Sequence, residues 1–125
     1  MLALLLFYFF NLRTREKILK QKIAYRERAW ELNIYKEYGL IPEDYFKMLK
    51  EQNGVCAICK QPETEKRKGT DNSVKNLSVD HCHNTNKVRQ LLCTKCNHLL
   101  GLAKDDPEIL KNAAIYLKRL TLLPT

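Results

Sequence analysis

The chain has 125 residues and carries 22 Lys and Arg against 14 Asp and Glu, a formal charge of +8 at neutral pH. This length allows one small domain, which buries roughly two-thirds of its unfolded surface and gains from a metal staple. The basic balance favours a polyanionic partner, nucleic acid or an anionic membrane, over an acidic substrate surface.

Residues 1–12 (MLALLLFYFFNL) are nearly all apolar. A transmembrane helix needs about 20 such residues, so no stable membrane insertion is expected. A positive n-region and an A-x-A-like cleavage site, the marks of a signal peptide, are missing. Three readings stay open: a helix turn packed on the domain, a membrane-touching tip, or a gene start placed too far upstream.

Residues 13–40 read as a basic helical arm. Neither Pro nor Gly interrupts Arg13 to Tyr38 before Gly39. Leu19, Ile23, Trp30 and Ile34 fall near one helical stripe. Arg13, Arg15, Lys17, Lys20, Lys22, Arg26 and Arg28 crowd the same stretch. They form either a solvated face or a surface that tracks phosphates.

Residues 41–125 read as one domain. Pro42 with Glu43 and Asp44 marks a helix start, and Asn53-Gly54 its stop. Tyr45, Met48 and Leu49 are expected to face the core. Cys56-Ala-Ile-Cys59 follows at once. The polar run from Lys60 to Asn76 reads as an exposed loop. Leu77–His81 and Val88–Leu92 read as two strands joined through Asn84-Thr85-Asn86. Cys93-Thr-Lys-Cys96 comes next, then a helix over Asn97–Ala103. Asp105-Asp106-Pro107-Glu108 caps a last helix. Its apolar residues Ile109, Leu110, Ala113, Ile115, Leu117 and Leu120 cover too broad a face for a lone surface helix, so it packs deeply or meets a partner chain.

The five cysteines are Cys56, Cys59, Cys82, Cys93 and Cys96. An odd count suits a disulfide framework poorly, while two C-x-x-C pairs suit zinc. Four thiolates on Cys56, Cys59, Cys93 and Cys96 would fill every position of a tetrahedral ion, which makes the site structural. Thiols kept reduced point to the cytoplasm. Cys82 falls outside the pattern and reads as a small buried residue.

Asp80-His81 carries the sharper chemistry. Phosphodiester hydrolysis needs an activated water and a cation on the phosphate. A histidine suits proton abstraction at neutral pH. A carboxylate and an amide oxygen suit magnesium. His81 would be the base, with Asp80 and Asn97 holding the ion. A regular strand turns Asp80 and His81 to opposite faces, so the strand should end, bend or bulge there.

The run VDHCHNTNKVRQLLCTKCN, followed by LG, resembles the phage recombination endonuclease VII family of HNH, or ββα-metal, nucleases. YGLIPEDYFKMLKEQNGVCAICK is similar to that family's approach to its first Cys pair. The resemblance implies zinc on the four paired cysteines, His81 as general base and magnesium on Asp80 and Asn97. It implies that His83 assists at the phosphate and that Lys87 and Arg89 face DNA. Asn86 and Gln90 stand where the family usually has Gly.

The expected fold is therefore α+β and mostly helical: a small ββα-metal core with a four-Cys zinc site, flanked by helices. The expected function is a zinc-stapled, magnesium-dependent DNA endonuclease, catalytic through His81, Asp80, His83 and Asn97, in a phage or infected-cell setting. Branched or recombination DNA is a candidate substrate and a homodimer a candidate assembly. The competing reading is a zinc-dependent DNA-binding protein without catalysis.

Overall fold

The computed structural model describes residues 1–69 and 72–121, with side chains as far as residue 119. Leu120, expected on the apolar face of the last helix, and Thr70 and Asp71 of the polar loop lie outside the described side chains. The chain divides into two compact units, Met1–Tyr45 and a second beginning at Phe46.

The first unit is built on α1 (Leu2–Tyr38), 37 residues long. Its run of Leu, Lys, Arg, Glu and Ala favours helix, and no helix breaker interrupts it. Gly39 ends it in the left-handed conformation, φ 68°, its N–H donating to the Tyr35 carbonyl and the Leu40 N–H to the Ile34 carbonyl; such a C-cap is favourable for glycine, which lacks Cβ. Only the C-terminal part of the predicted stripe is covered. Ile34 is buried and Trp30 meets Tyr45 edge to face at 4.8 Å, while Leu19 stays exposed. Residues 2–12 belong to the same helix, with Leu2, Phe7 and Phe10 in the open. No described helix is long and apolar enough to cross a membrane.

Helix α2 (Pro42–Glu51) starts as predicted, with Glu43 and Asp44 in its first turn. Asn53 and Gly54 leave it with positive φ, and the Gly54 N–H reaches back to the Leu49 carbonyl. Of its three predicted core residues, Tyr45 is buried and Met48 and Leu49 are half-buried.

The second unit is centred on an antiparallel pair, β1 (Ser78–His81) and β2 (Val88–Leu92), followed by α3 (Thr94–Leu102) and α4 (Pro107–Thr121). Helix α3 packs against both strands. The core is small: Cys56, Leu77, Val79, Leu91, Leu92, Cys93, Cys96 and Ala103. Three of these eight are cysteines, which is why the thiols matter to stability.

Gln52 replaces a missing strand at the outer edge of β2. Its amide accepts from the Leu91 N–H and donates to the Leu91 carbonyl, both at 2.9 Å. The Ala57 N–H adds a bond to the same carbonyl at 3.0 Å. Buried backbone polar groups need partners, and supplying them here draws the first Cys pair against the strand that leads into the second.

Helix α3 begins at Thr94, three residues before the predicted Asn97. The reason lies upstream. Glu63 Oε2 accepts from the Thr94 N–H at 2.7 Å and from its hydroxyl at 2.8 Å. A carboxylate at a helix N-terminus satisfies orphan donors and complements the dipole. The stretch read as a plain exposed loop is therefore partly ordered, with an antiparallel bridge between Lys66 and Val74.

Helix α4 does not pack deeply. Ile109, Ile115, Tyr116 and Leu117 are all exposed, against the deep-packing reading of its broad apolar face. Its cap is Asp106 alone, whose Oδ1 accepts from the Glu108 N–H at 2.8 Å. Asp105, expected to share that role, turns elsewhere.

Candidate functional site

The four paired cysteines converge. The sulfurs of Cys56, Cys59, Cys93 and Cys96 all lie within 4.8 Å of one another. Zinc–sulfur bonds of about 2.3 Å in a tetrahedron set sulfurs about 3.8 Å apart, and Cys59 and Cys93 stand at 3.8 Å. Charge tells the same story. Burial pushes the Cys56 thiol up, but N–H groups of Cys93, Cys59 and Ile58 outweigh it and bring the pKa down to about 6. Cys96 is pushed up to about 12, by burial first and by its neighbouring thiols next. Four thiolates so close repel each other unless a cation joins them. The cluster is a donor set that can hold a zinc ion, soft sulfur for a borderline-soft metal.

Beside this cluster the strand pair carries the predicted irregularity. Val79 pairs with Leu91, yet His81 pairs with Val88. Two residues on β1 thus span three on β2, and the extra residue lies in the Arg89–Gln90 step. The consequence is visible in burial: Val79 and Asp80 are both buried, where regular alternation would expose one.

Asp80 accepts a forked pair of bonds from Arg89, Nε to Oδ2 at 2.6 Å and Nη2 to Oδ1 at 3.0 Å. Asp105 Oδ2 takes a further contact from Arg89 Nη2 at 3.4 Å and lies 2.7 Å from His83 Nδ1. The His81 and His83 rings stand 4.8 Å apart. One connected group runs Asp80, Arg89, Asp105, His83, with His81 against His83. The Asp80 hydrogen bond, ahead of the charges of Asp80 and Asp105, raises the Arg89 pKa above its ordinary value. His83, then the Arg89 charge, holds Asp105 below the usual carboxylate range.

Asp105 escaped the sequence reading because Asp before Pro at a helix start signals a cap. Lys104 and Asp105 both have positive φ, 52° and 56°, a conformation that costs a side-chain-bearing residue of the order of 1 kcal/mol or more. That turn is what aims the carboxylate back at the hairpin. Two adjacent left-handed residues are not legible from composition.

Asn97 stands half-buried in α3, one residue past Cys96, on the helix that faces both strands. Lys87 is exposed at the hairpin end, where its carbonyl accepts from the Cys82 N–H at 2.9 Å. Asn86 takes φ 55° there, as its tolerance of left-handed geometry allows. Cys82 is half-buried rather than buried. The Thr85 hydroxyl and the N–H groups of Thr85 and Asn84 lower its thiol pKa. A cleft of about 380 Å³ opens beside the group, walled by Cys82, His83 and Asn84, by Arg89, and by Gly101, Lys104 and Asp105.

This chain is similar to the Gene 59 protein of Mycobacterium phage D29, 39% identical over 99 residues, 78% of this chain and 55% of that protein. The Gene 59 protein of Mycobacterium phage L5 is 39% identical over 97 residues, 77% of this chain and 54% of that protein. The chain thus spans about half the length of these curated relatives. No solved structure matches it. The family model for recombination endonuclease VII matches residues 31–119, which takes in both Cys pairs, the irregular hairpin, α3 and most of α4. The chain belongs to the recombination endonuclease VII family.

Proposed function

We propose that the chain is a metal-dependent DNA endonuclease with an HNH-type centre that hydrolyses phosphodiester bonds, with branched or recombination DNA as its substrate class. The observation that carries this reading is the meeting of two imidazoles, Asp80 and Arg89 on one irregular hairpin with Asp105 from the turn after α3, in a member of that family.

In this mechanism His81 takes the proton from the attacking water, a role worth about 10²–10⁴ in rate. Asp80 and Asn97 offer a carboxylate and an amide oxygen to magnesium. Arg89 uses one lone pair on each Asp80 oxygen, and a carboxylate has about four such sites, so the donor set fits a hard cation. Magnesium, when bound, would neutralise charge at the scissile phosphate. His83 assists at that phosphate. Arg89 offers further N–H groups to it, and Lys87 meets the backbone beyond. Cys56, Cys59, Cys93 and Cys96 would hold a structural zinc ion, which would tie α3 to the hairpin.

The chain is proposed to act in the cytoplasm of the phage-infected cell, where thiols stay reduced. A homodimer through the exposed apolar side chains of α4 is proposed as the assembly. One observation favours a second reading, a zinc-dependent DNA-binding protein without catalysis: Arg89 already occupies both oxygens of Asp80.

The test is cleavage of labelled linear, mismatched and four-way-junction DNA with magnesium, manganese or chelator. Cutting that needs the divalent ion and disappears in His81→Ala supports the nuclease. Salt-sensitive binding without cutting under either metal selects the second reading.

A further inference from the structure

We infer that Asp105 is a positioning residue of this site, holding His83 and Arg89 in place from the turn between α3 and α4; the inference rests on the nuclease reading.

A single oxygen, Oδ2, sits 2.7 Å from His83 Nδ1 and 3.4 Å from Arg89 Nη2. With the carboxylate ionised, His83 Nδ1 must carry a proton to make so short a contact. Whenever the ring is neutral, its lone pair is then left on Nε2, so this contact favours one tautomer. Arg89 lies between two acids, Asp80 on its own sheet and Asp105 from the turn. Asp80 alone could hold the guanidinium, but only from one side. Asp105 adds the second fixed point and ties the arginine to the histidine.

The backbone shows that this placement is imposed. Lys104 and Asp105 are consecutive left-handed residues with side chains, and the strain sits beside the cleft that His83 and Arg89 line. Strain of this kind persists where the surrounding structure enforces it, commonly at functional sites. Capping does not explain it, because Asp106 caps α4 unaided.

Asp105→Gly in the full chain separates positioning from folding. Glycine takes φ 56° freely, so thermal stability should hold while the carboxylate is lost. Single-turnover cutting of a labelled four-way DNA junction with magnesium should slow about 10–100-fold, as loss of an orienting partner typically does. KM should change little, and Asp105→Glu should recover part of the rate. Asp106→Asn, which keeps a good N-cap, should cut at the wild-type rate. Long-range ¹⁵N–¹H spectra of the imidazoles should show His83 protonated on Nδ1 in the wild type and shifted towards the Nε2–H form in Asp105→Gly. A wild-type rate in Asp105→Gly, or a His83 tautomer that ignores the substitution, overturns the inference. If the wild-type chain does not cut at all, the nuclease reading fails and the tautomer spectra alone decide on Asp105.

Discussion

Arg89 reaches across the hairpin to Asp80 with two near-parallel hydrogen bonds, at 2.6 and 3.0 Å. The carboxylate is 9% exposed and the guanidinium 38%, so the acid is the group that depends on the pair. Removing Arg89 strands a buried charge. Arg89→Ala should therefore cost about 1–3 kcal/mol, at the lower end because water reaches the arginine side. Arg89→Lys should recover only part, since an ammonium cannot reproduce the planar fork. Urea midpoints of the three proteins check this; a fully stable Arg89→Ala would mean that Asp80 is held by other groups.

Glu63 offers a prediction with a pH sign. Its burial raises the pKa, but the N–H groups of Glu65, Thr94 and Thr64 and the Thr94 hydroxyl outweigh that and hold it below the ordinary glutamate value. A depressed folded-state pKa means that the contribution is present above the unfolded value, about 4.3. It is lost as pH falls through the lower folded value. Glu63→Gln should cost about 1 kcal/mol at pH 7, typical of a helix cap. The gap between the two proteins should close as pH falls below about 4. Parallel urea titrations from pH 7 to pH 3 measure that gap.

The sulfur cluster predicts a folded state that depends on metal. Structural zinc contributes about 10–16 kcal/mol in zinc peptides, far more than the few apolar residues of this core can replace. Elemental analysis should find zinc bound to the purified chain. A strong chelator should abolish the cooperative melt of the unit that follows Tyr45, and Cys93→Ser should do the same without chelator. A sharp melt in the presence of chelator would show that the thiols are dispensable.

Gln52 should matter more than a surface glutamine. Its amide makes three bonds, to the Val55 carbonyl and to both backbone groups of Leu91, all at 2.9 Å. Gln52→Leu leaves the N–H of a fully buried residue without a partner, which costs about 1–3 kcal/mol. Differential scanning calorimetry should show the loss. Hydrogen exchange at the Leu91 amide should quicken in the variant relative to the rest of β2.

The local signals in this chain were strong where chemistry and spacing are the same thing. Two matched C-x-x-C pairs are a zinc-ligand pattern, so the cluster of four was readable before any coordinates. Pro42 with its acids, Asn53-Gly54, and the apolar strands around Asn84–Asn86 announced their elements through backbone sterics alone. The need for a break in strand regularity at Asp80 and His81 also followed from the period-two geometry of a strand.

Tertiary structure decided the partners. Nothing near Thr94 in the chain foretells that Glu63, 31 residues upstream, starts α3 early. Nothing near Asp105 foretells that a presumed cap leaves its helix to grip His83 and Arg89, 22 and 16 residues away. The break predicted on β1 was resolved by an extra residue on β2, because a register is a property of two strands. Spacing along a chain specifies which groups can serve one ion or one turn. Which carboxylate neutralises which cation depends on distances that exist only once the hairpin, the turn after α3 and the sulfur cluster have closed together.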